Sequence, residues 1–184
     1  MTVFPIGHYM GERHPEGLHY VRVGMAHETM TADEFGVWVL SHQDSTQWTI
    51  EDVLSLAAAT DLPAAAESVE RLLSAGLLVT VTDPTTFARE YRLEPLLVGI
   101  GNTPEDPDTY AVGLPGQEPA RLSASSYELW QWAALAPSLW HTCEIRAKVS
   151  DAPAAPADMI PGVLADLRPI LANSCGYLDK AQWT

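Results

Sequence analysis

Between residues 30 and 80, apolar side chains recur at the spacing of one helix face in three consecutive segments. The first segment carries large side chains at positions i, i+3, i+4 and i+7, namely Phe35, Trp38, Val39 and His42. The second segment starts near Ile50, and the third has Pro63 in its predicted first turn and apolar residues at helical spacing from Ala65 onward. Leucine, valine and threonine at residues 77–82 then favour an extended chain. The pattern therefore predicts three short helices followed by a strand.

Local signals mark where these helices begin and end. Thr31 with Glu34 matches the capping box, in which the two side chains cap each other's backbone N–H groups. Thr49 begins the second helix in the same way, and Gly76 is a typical left-handed residue after the third. A turn is predicted at 83–86, with residues 91–101 returning as a second strand. Three helices and this hairpin, which we call the wing, form a winged-helix pattern.

The opening phrase of this region returns 92 residues later. Three aromatic positions keep that offset: Phe35 with Tyr127, Trp38 with Trp130, and Trp48 with Trp140. Near the end of the repeat, Gly176 is matched with Gly76 separately, at a larger offset. We therefore interpret the chain as an α+β protein of two tandem winged-helix-like modules. The predicted division is an irregular arm at 1–18, module 1 at 19–98, a Gly/Pro-rich connector with a short strand at 99–118, and a degenerate module 2 at 119–184.

The chain is strongly acidic, with a formal net charge of −14. Such a charge keeps a protein dispersed, and it also favours a cationic partner over a phosphate backbone. No basic segment followed by an apolar one opens the chain, and no apolar run is long enough for a membrane span, so a cytoplasmic location is expected. Cys143 and Cys175 lack the compact spacing of a metal site, and we predict no metal or cofactor.

Catalytic motifs are missing from the sequence. There is no nucleophile elbow, no H-E-x-x-H, no phosphate-binding loop and no C-x-x-C. The paired carboxylates Asp33–Glu34 and Glu51–Asp52 lie in predicted first helical turns, where the helix dipole accounts for them. The sequence therefore predicts a protein that is not an enzyme.

Two functions of a non-enzymatic protein can be considered first: binding of DNA and assembly into a homodimer. A DNA-binding winged helix would use the third helix and the wing, for which Arg71, Arg89 and Arg92 are the candidates. Their acidic neighbours, such as Glu70 and Glu90, disfavour this hypothesis. As an alternative to DNA binding, the protein is a structural subunit that forms a homodimer through exposed aromatic residues such as Trp132 or Trp183.

Three motifs together carry a resemblance to a known family: T-x-x-E-F-x-V-W-x-L, W-T-x-E-D-V and S-V-x-x-L-L-x-A-G-L-L. With the predicted strand HYVRVGM at 19–25 in front, the region resembles the PqqD-like peptide-recognition domains. In that family a leader peptide adds as a strand to the edge of the N-terminal sheet and lies against the third helix. The resemblance implies a non-enzymatic accessory protein that binds a peptide or protein, in the biosynthesis of a ribosomally made, modified peptide. The peptide would contact Val21, Arg22 and Val23 at the edge, and Glu67, Glu70 and Arg71 on the helix.

Overall fold

A computed structural model describes residues 1–150 and 153–182. Within them the chain forms seven α-helices and ten strands in four small antiparallel sheets, which confirms the predicted α+β class. The chain divides into two compact units, unit 1 at Met1–Thr82 and unit 2 at Asp83–Thr184. This boundary lies before the one expected from the sequence, which placed the end of module 1 at residue 98.

Unit 1 consists of a three-stranded meander, three helices and a two-stranded ribbon. In chain order its elements are β1 (Val3–Pro5), β2 (His8–Arg13), β3 (Leu18–Val23), β4 (Ala26–Met30), α1 (Ala32–Leu40), α2 (Ile50–Ala59), α3 (Ala65–Ser74) and β5 (Leu78–Thr80). Strands β2, β3 and β4 form the meander, and β5 pairs with β1. The core between sheet and helices is aliphatic and contains Val21, Met30, Val37, Val53 and Leu72.

The predicted N-caps of α1 and α2 and the glycine after α3 are confirmed, whereas Pro63, expected in the first turn of the third helix, lies before α3 begins at Ala65. Thr31 Oγ accepts the backbone N–H of Glu34 at 3.3 Å, and the Glu34 carboxylate accepts the N–H of Thr31 at 2.8 Å. Thr49 and Asp52 cap α2 with the same reciprocal pair of bonds. After α3, Gly76 has φ +69°, the left-handed conformation that glycine adopts without a steric penalty.

Unit 2 begins with a helix and then repeats the element order of unit 1. Its elements are α4 (Pro84–Glu90), β6 (Tyr91–Pro95), β7 (Val98–Thr103), β8 (Asp106–Gly113), β9 (Ala120–Ser123), α5 (Ala124–Trp132), a 3₁₀ turn (Ala133–Leu135), α6 (Leu139–Val149), α7 (Pro156–Ala172) and β10 (Gly176–Lys180). Strands β7, β8 and β9 form the meander, and β10 pairs with β6. After α4, both units thus follow one strand, a meander, a helical region and a closing strand.

Matched hydrogen bonds accompany this shared order. The indole of Trp38 donates to the carbonyl of Ile6, directly after β1, at 3.3 Å. The indole of Trp130 donates to the carbonyl of Leu96, directly after β6, at 3.0 Å. In each unit, therefore, a tryptophan of the first meander-packing helix holds the chain where the first strand ends.

Two of the predicted correspondences are wrong. Trp48 lies before the N-cap of α2, Thr49, whereas Trp140 lies inside α6, after its N-cap Ser138. The residue equivalent to Gly76 is not Gly176 but Ser174, which has φ +53° and likewise ends its helix. The loops between helices differ in length in the two units, so equivalent residues after the first helix are not separated by one constant number of positions.

The segments expected to be irregular contain strands. Residues 1–18 include all of β1 and β2, and residues 99–118 include most of β7 and all of β8. Their glycines had suggested loops, but two of them, Gly11 and Gly101, lie at irregularities of the strand pairing with φ +102° and +90°. Glycine at a β-bulge supplies a conformation that other residues rarely adopt, so it is compatible with a strand.

The predicted wing is not formed. Asp83 caps α4 by accepting the N–H groups of Thr85 and Thr86, so the expected turn is the start of a helix. Strand β5 pairs with β1 and strand β6 pairs with β10, and the two do not pair with each other. The local sequence is compatible with a hairpin, but the actual partner strands lie far away along the chain.

Candidate functional site

The strand that we expected at the edge of the sheet lies in its centre. Val21, Arg22 and Val23 belong to β3, which pairs with β2 on one side and with β4 on the other. Val21 is fully buried, and Arg22 and Val23 are half-buried. Their backbone groups are therefore committed to neighbouring strands, and the prediction that they form an edge is wrong. The sequence had indicated only one of the three strands clearly, so it could not show which strand is central.

The two edges of this meander differ in regularity. Strand β2 contains a bulge between Tyr9 and Gly11, which interrupts its backbone pattern. Strand β4 pairs with β3 through all five of its residues without a shift in register. Bulges protect sheet edges from further pairing, whereas a regular edge presents an uninterrupted row of donors and acceptors. Within unit 1, β4 is consequently the edge better suited to accept another strand.

The hairpin geometry identifies which backbone groups of β4 point outward. Two residues, Gly24 and Met25, connect β3 to β4, and Gly24 has φ +58°, as the first central residue of a type II′ turn requires. In such a hairpin the residues that flank the turn exchange hydrogen bonds, and bonded and non-bonded pairs then alternate along the strands. Ala26, Glu28 and Met30 therefore face β3, while the N–H and C=O groups of His27 and Thr29 face the open edge.

Helix α3 is linked by an ion pair to the start of α1, directly after β4. The Nε of Arg71, on α3, is 2.6 Å from Oε1 of Glu34. The other carboxylate oxygen of Glu34 accepts the N–H of Thr31, the residue that directly follows β4. One buried carboxylate thus ties the middle of α3 to the point where the edge strand ends.

Exposed side chains around this position are acidic. Glu67 and Glu70 lie on the solvent-exposed side of α3, and Glu28 is half-buried on β4. Arg71 is also exposed, but its guanidinium already neutralises Glu34. The helix residues proposed from the sequence, Glu67, Glu70 and Arg71, are therefore accessible, and the local charge is suited to a cationic ligand.

The arginines proposed for DNA binding do not have the structural setting that the sequence predicted. Arg92 lies in β6, with most of its side chain buried and its guanidinium paired with Glu94. The guanidinium of Arg89, on α4, stacks over the ring of Trp140 at 4.4 Å. Arg71 belongs to unit 1 and the other two to unit 2. Because the wing that was to present Arg89 and Arg92 is not formed, they do not have the predicted setting.

The aromatic candidates for a dimer surface are only partly described. Trp132, at the end of α5, is 52% exposed. Trp183 lies outside the described residues. A single exposed indole is common on protein surfaces and identifies no partner.

Reactive and metal-binding groups show no assembled centre in the described part of the chain. Cys143 and Cys175 are free, buried thiols, and burial raises the pKa of each to about 11, so neither is present as the nucleophilic thiolate near neutral pH. No group of three or more His, Cys, Asp or Glu side chains that could hold a metal ion occurs among residues 1–150 and 153–182. No helix within these ranges is both long and apolar enough to cross a bilayer.

The sequence did not reveal β4, the strand that presents the open edge, because residues 26–29, AHET, follow the predicted strand at 19–25 and were interpreted as a turn before the cap at Thr31. The signal that was available is the glycine before it, Gly24, which begins a two-residue hairpin connection. Comparison of the chain with protein-family models, with curated proteins and with solved structures found no match.

Proposed function

We propose that unit 1 binds an extended segment of a peptide or protein, which adds as a fourth strand to the open edge of β4. The observation that carries this proposal is the regular pairing of β4 with β3, which leaves the backbone groups of His27 and Thr29 directed outward. In strand addition, backbone bonds give affinity and side-chain contacts give selectivity. The mode matches the one implied by the resemblance to PqqD-like domains, but it uses β4 in place of β3.

Charge indicates the kind of peptide. A strand added beside β4 would lie near Glu28, and at the Thr31 end of β4 it would extend toward α3, which carries Glu67 and Glu70 and is tied to Glu34 by Arg71. Lysine or arginine side chains on the ligand would then find carboxylates at two sides. We propose a cationic segment as the ligand, and an accessory role in the biosynthesis of a ribosomally made, modified peptide as its setting.

A proline substitution isolates the backbone contribution. Thr29→Pro removes an N–H that points away from β3, so it blocks strand addition while the meander keeps its own hydrogen bonds. Thr29→Val is the matched control, because it removes the hydroxyl but retains the N–H group. Peptides are selected from a displayed random library on the wild-type protein, and their affinities for both variants are measured by fluorescence anisotropy.

Strand addition predicts that Thr29→Pro abolishes measurable binding and that Thr29→Val binds as the wild type does, with both variants folded by circular dichroism. Reversing Glu67 and Glu70 together to lysine should also weaken the selected basic peptides. Selected peptides that bind Thr29→Pro with undiminished affinity would exclude this edge. Tighter binding of duplex DNA than of any peptide, lost steeply with salt, would instead support a regulator.

A further inference from the structure

The meanders of the two units correspond residue by residue. Three residues lie opposite one another in a row across each meander: Tyr9, Val21 and Glu28 in unit 1, and Gly99, Val112 and Ala120 in unit 2. Next to this row, the register of the first two strands shifts before Gly11 in unit 1 and before Gly101 in unit 2. The pairing of one meander therefore identifies the equivalent backbone positions in the other.

The same side of each meander packs against the helix that follows it. His19 of β3 stacks on Phe35 of α1 with ring centroids 4.1 Å apart. Tyr110, at the equivalent position of β8, stacks on Tyr127 of α5 at 4.6 Å. Because both the register and the packed side agree, equivalent residues direct their backbone groups in the same way in the two units.

Pro119 is the residue of unit 2 that corresponds to His27 of unit 1. His27 directly precedes Glu28, and Pro119 directly precedes Ala120. The register of β8 with β9, continued by one residue, places Pro119 opposite Gly113. A Cβ on Gly113 would lie 3.0 Å from Cα and 3.1 Å from Cβ of Pro119, so the two residues are in close contact.

Proline at this position removes a donor from the edge of unit 2. Strand β9 is the last strand of its sheet, as β4 is in unit 1. The backbone groups of residues 119 and 121 point away from β8, as those of His27 and Thr29 point away from β3. Arg121 has both an N–H and a C=O group, but Pro119 has no N–H. Proline on the outward side of an edge strand is one of the features that protect sheets from further pairing.

The opposite edge of the same meander is interrupted in a different way. The register of β7 with β8 shifts twice, between Gly99 and Gly101 and between Gly101 and Thr103. Such irregularities break the row of donors and acceptors that an added strand needs. Both edges of the unit 2 meander thus oppose pairing, whereas β4 of unit 1 pairs regularly along its whole length.

We propose that Pro119 excludes an added strand from unit 2, so that each chain binds one extended segment, through β4 of unit 1. This inference rests on the proposed strand addition at β4. A strand beside β9 would leave one of its own carbonyls without a donor opposite Pro119, and only Arg121 would offer both backbone groups. Beside β4 the same strand would meet two complete residues, His27 and Thr29. An unmade hydrogen bond with an unsatisfied carbonyl lowers affinity about ten-fold or more.

The direction of the backbone groups can be tested without a ligand. Pro119→Ala introduces a single N–H group, and its exchange with solvent is followed by nuclear magnetic resonance of the full chain. We expect fast exchange at residues 119 and 121 and slow exchange at Ala120 and Leu122, which face β8. Slow exchange at residue 119 would overturn the proposal, because the group would then point into the sheet.

Exclusion of a strand is tested in a chain whose β4 edge is blocked. Peptides are selected from a displayed random library on the Thr29→Pro, Pro119→His double variant, in which residue 119 becomes the same as its counterpart His27. Their affinities for this variant and for Thr29→Pro are measured by fluorescence anisotropy. The matched control is Thr29→Pro with Pro115→Ala, which removes a proline from the turn where the N–H of Gln117 donates to the carbonyl of Leu114.

The selected peptides should bind the Pro119→His protein about ten-fold or more tightly than either Thr29→Pro or the Pro115→Ala control. Equal affinity for all three proteins would overturn the proposal, and so would a selection that yields no peptide, since Pro119 would then not be what excludes a strand. Failure of the proposed function has a different result, in which peptides selected on the wild type bind Thr29→Pro undiminished. That result leaves the comparison at Pro119 unaffected.

Discussion

Gly7 and Gly11 offer a matched pair of substitutions that tests the packing beneath the central strand. Both have nearly the same backbone conformation, with φ +104° and +102°. A Cβ on Gly7 would lie 2.3 Å from Cγ1 of Val21 and 2.9 Å from Cγ2 of Val23. A Cβ on Gly11 would meet no atom within 4 Å. Gly7→Ala and Gly11→Ala therefore carry the same backbone strain, and only Gly7→Ala also forces a methyl group against the core.

The two costs can be separated in magnitude. An unfavourable backbone conformation at a residue other than glycine costs about 1–3 kcal/mol. Forcing an extra methyl group into a packed core costs a further ~1–3 kcal/mol. Gly7→Ala should therefore destabilise unit 1 by about 2 kcal/mol more than Gly11→Ala. For a unit of this size that difference corresponds to a fall in melting temperature of roughly 8–16 °C.

The assay is urea unfolding of the full chain, followed by circular dichroism. Hydrogen exchange of peptides from residues 1–30 then shows whether the loss of stability lies in the β1–β3 region. Equal unfolding midpoints for the two variants would contradict the reasoning, because they would mean that the space next to Gly7 is open. A larger loss for Gly11→Ala would contradict the placement of the β2 bulge.

Three further predictions follow from single contacts. Trp130→Phe should cost about 1 kcal/mol more than Trp38→Phe in urea unfolding, because the Trp130 indole serves two carbonyls, at 3.0 and 2.7 Å, and the Trp38 indole one. Burial raises the pKa of the Cys143 thiol to about 11, so this thiol stays protonated in the folded protein at a pH where the unfolded thiol ionises. Raising the pH from about 9 to about 11 should therefore lower the free energy of unfolding by on the order of 2 kcal/mol, and Cys143→Ala should lack this contribution. Arg71→Gln should destabilise the wild type by about 1–2 kcal/mol but the Glu34→Gln variant much less, because Glu34 is buried and its uncompensated charge is what costs free energy.

Features set by neighbouring residues were predictable from the sequence. The reciprocal bonds of Thr31 with Glu34 and the left-handed Gly76 depend on side chains and backbone only a few positions apart. The α+β class, and the correspondence of Phe35 with Tyr127, were likewise predicted from the spacing of residues in the sequence. In these cases the physical cause lies within one or two helical turns, so a short window of sequence contains it.

Strand partners were not predictable in the same way. Strand β5 pairs with β1, whose residues lie more than 70 positions earlier, and nothing in the local sequence of β5 distinguishes that partner from the expected wing strand. The candidate edge was misplaced for a related reason. Val21 to Val23 are the most strand-like residues of the meander because they are central and flanked on both sides. High β-propensity thus indicated the strand least available to a ligand, whereas the polar, exposed β4 carries the open edge.

A comparison of matched positions shows what the two units share and where they differ. Tyr9 lies opposite Val21 in unit 1 and stacks on Phe35, whereas Gly99 lies opposite Val112 in unit 2. A Cβ on Gly99 would be 2.7 Å from the hydroxyl of Tyr127, so the larger helix residue in unit 2 fills the space that a strand residue fills in unit 1. On the side of each meander that packs against the helices, the space is therefore filled in both units, but by different residues. Such compensation preserves the fold but does not constrain the edge strands or the side of each meander that faces away from the helices. Differences in binding between the units are therefore to be sought on those surfaces.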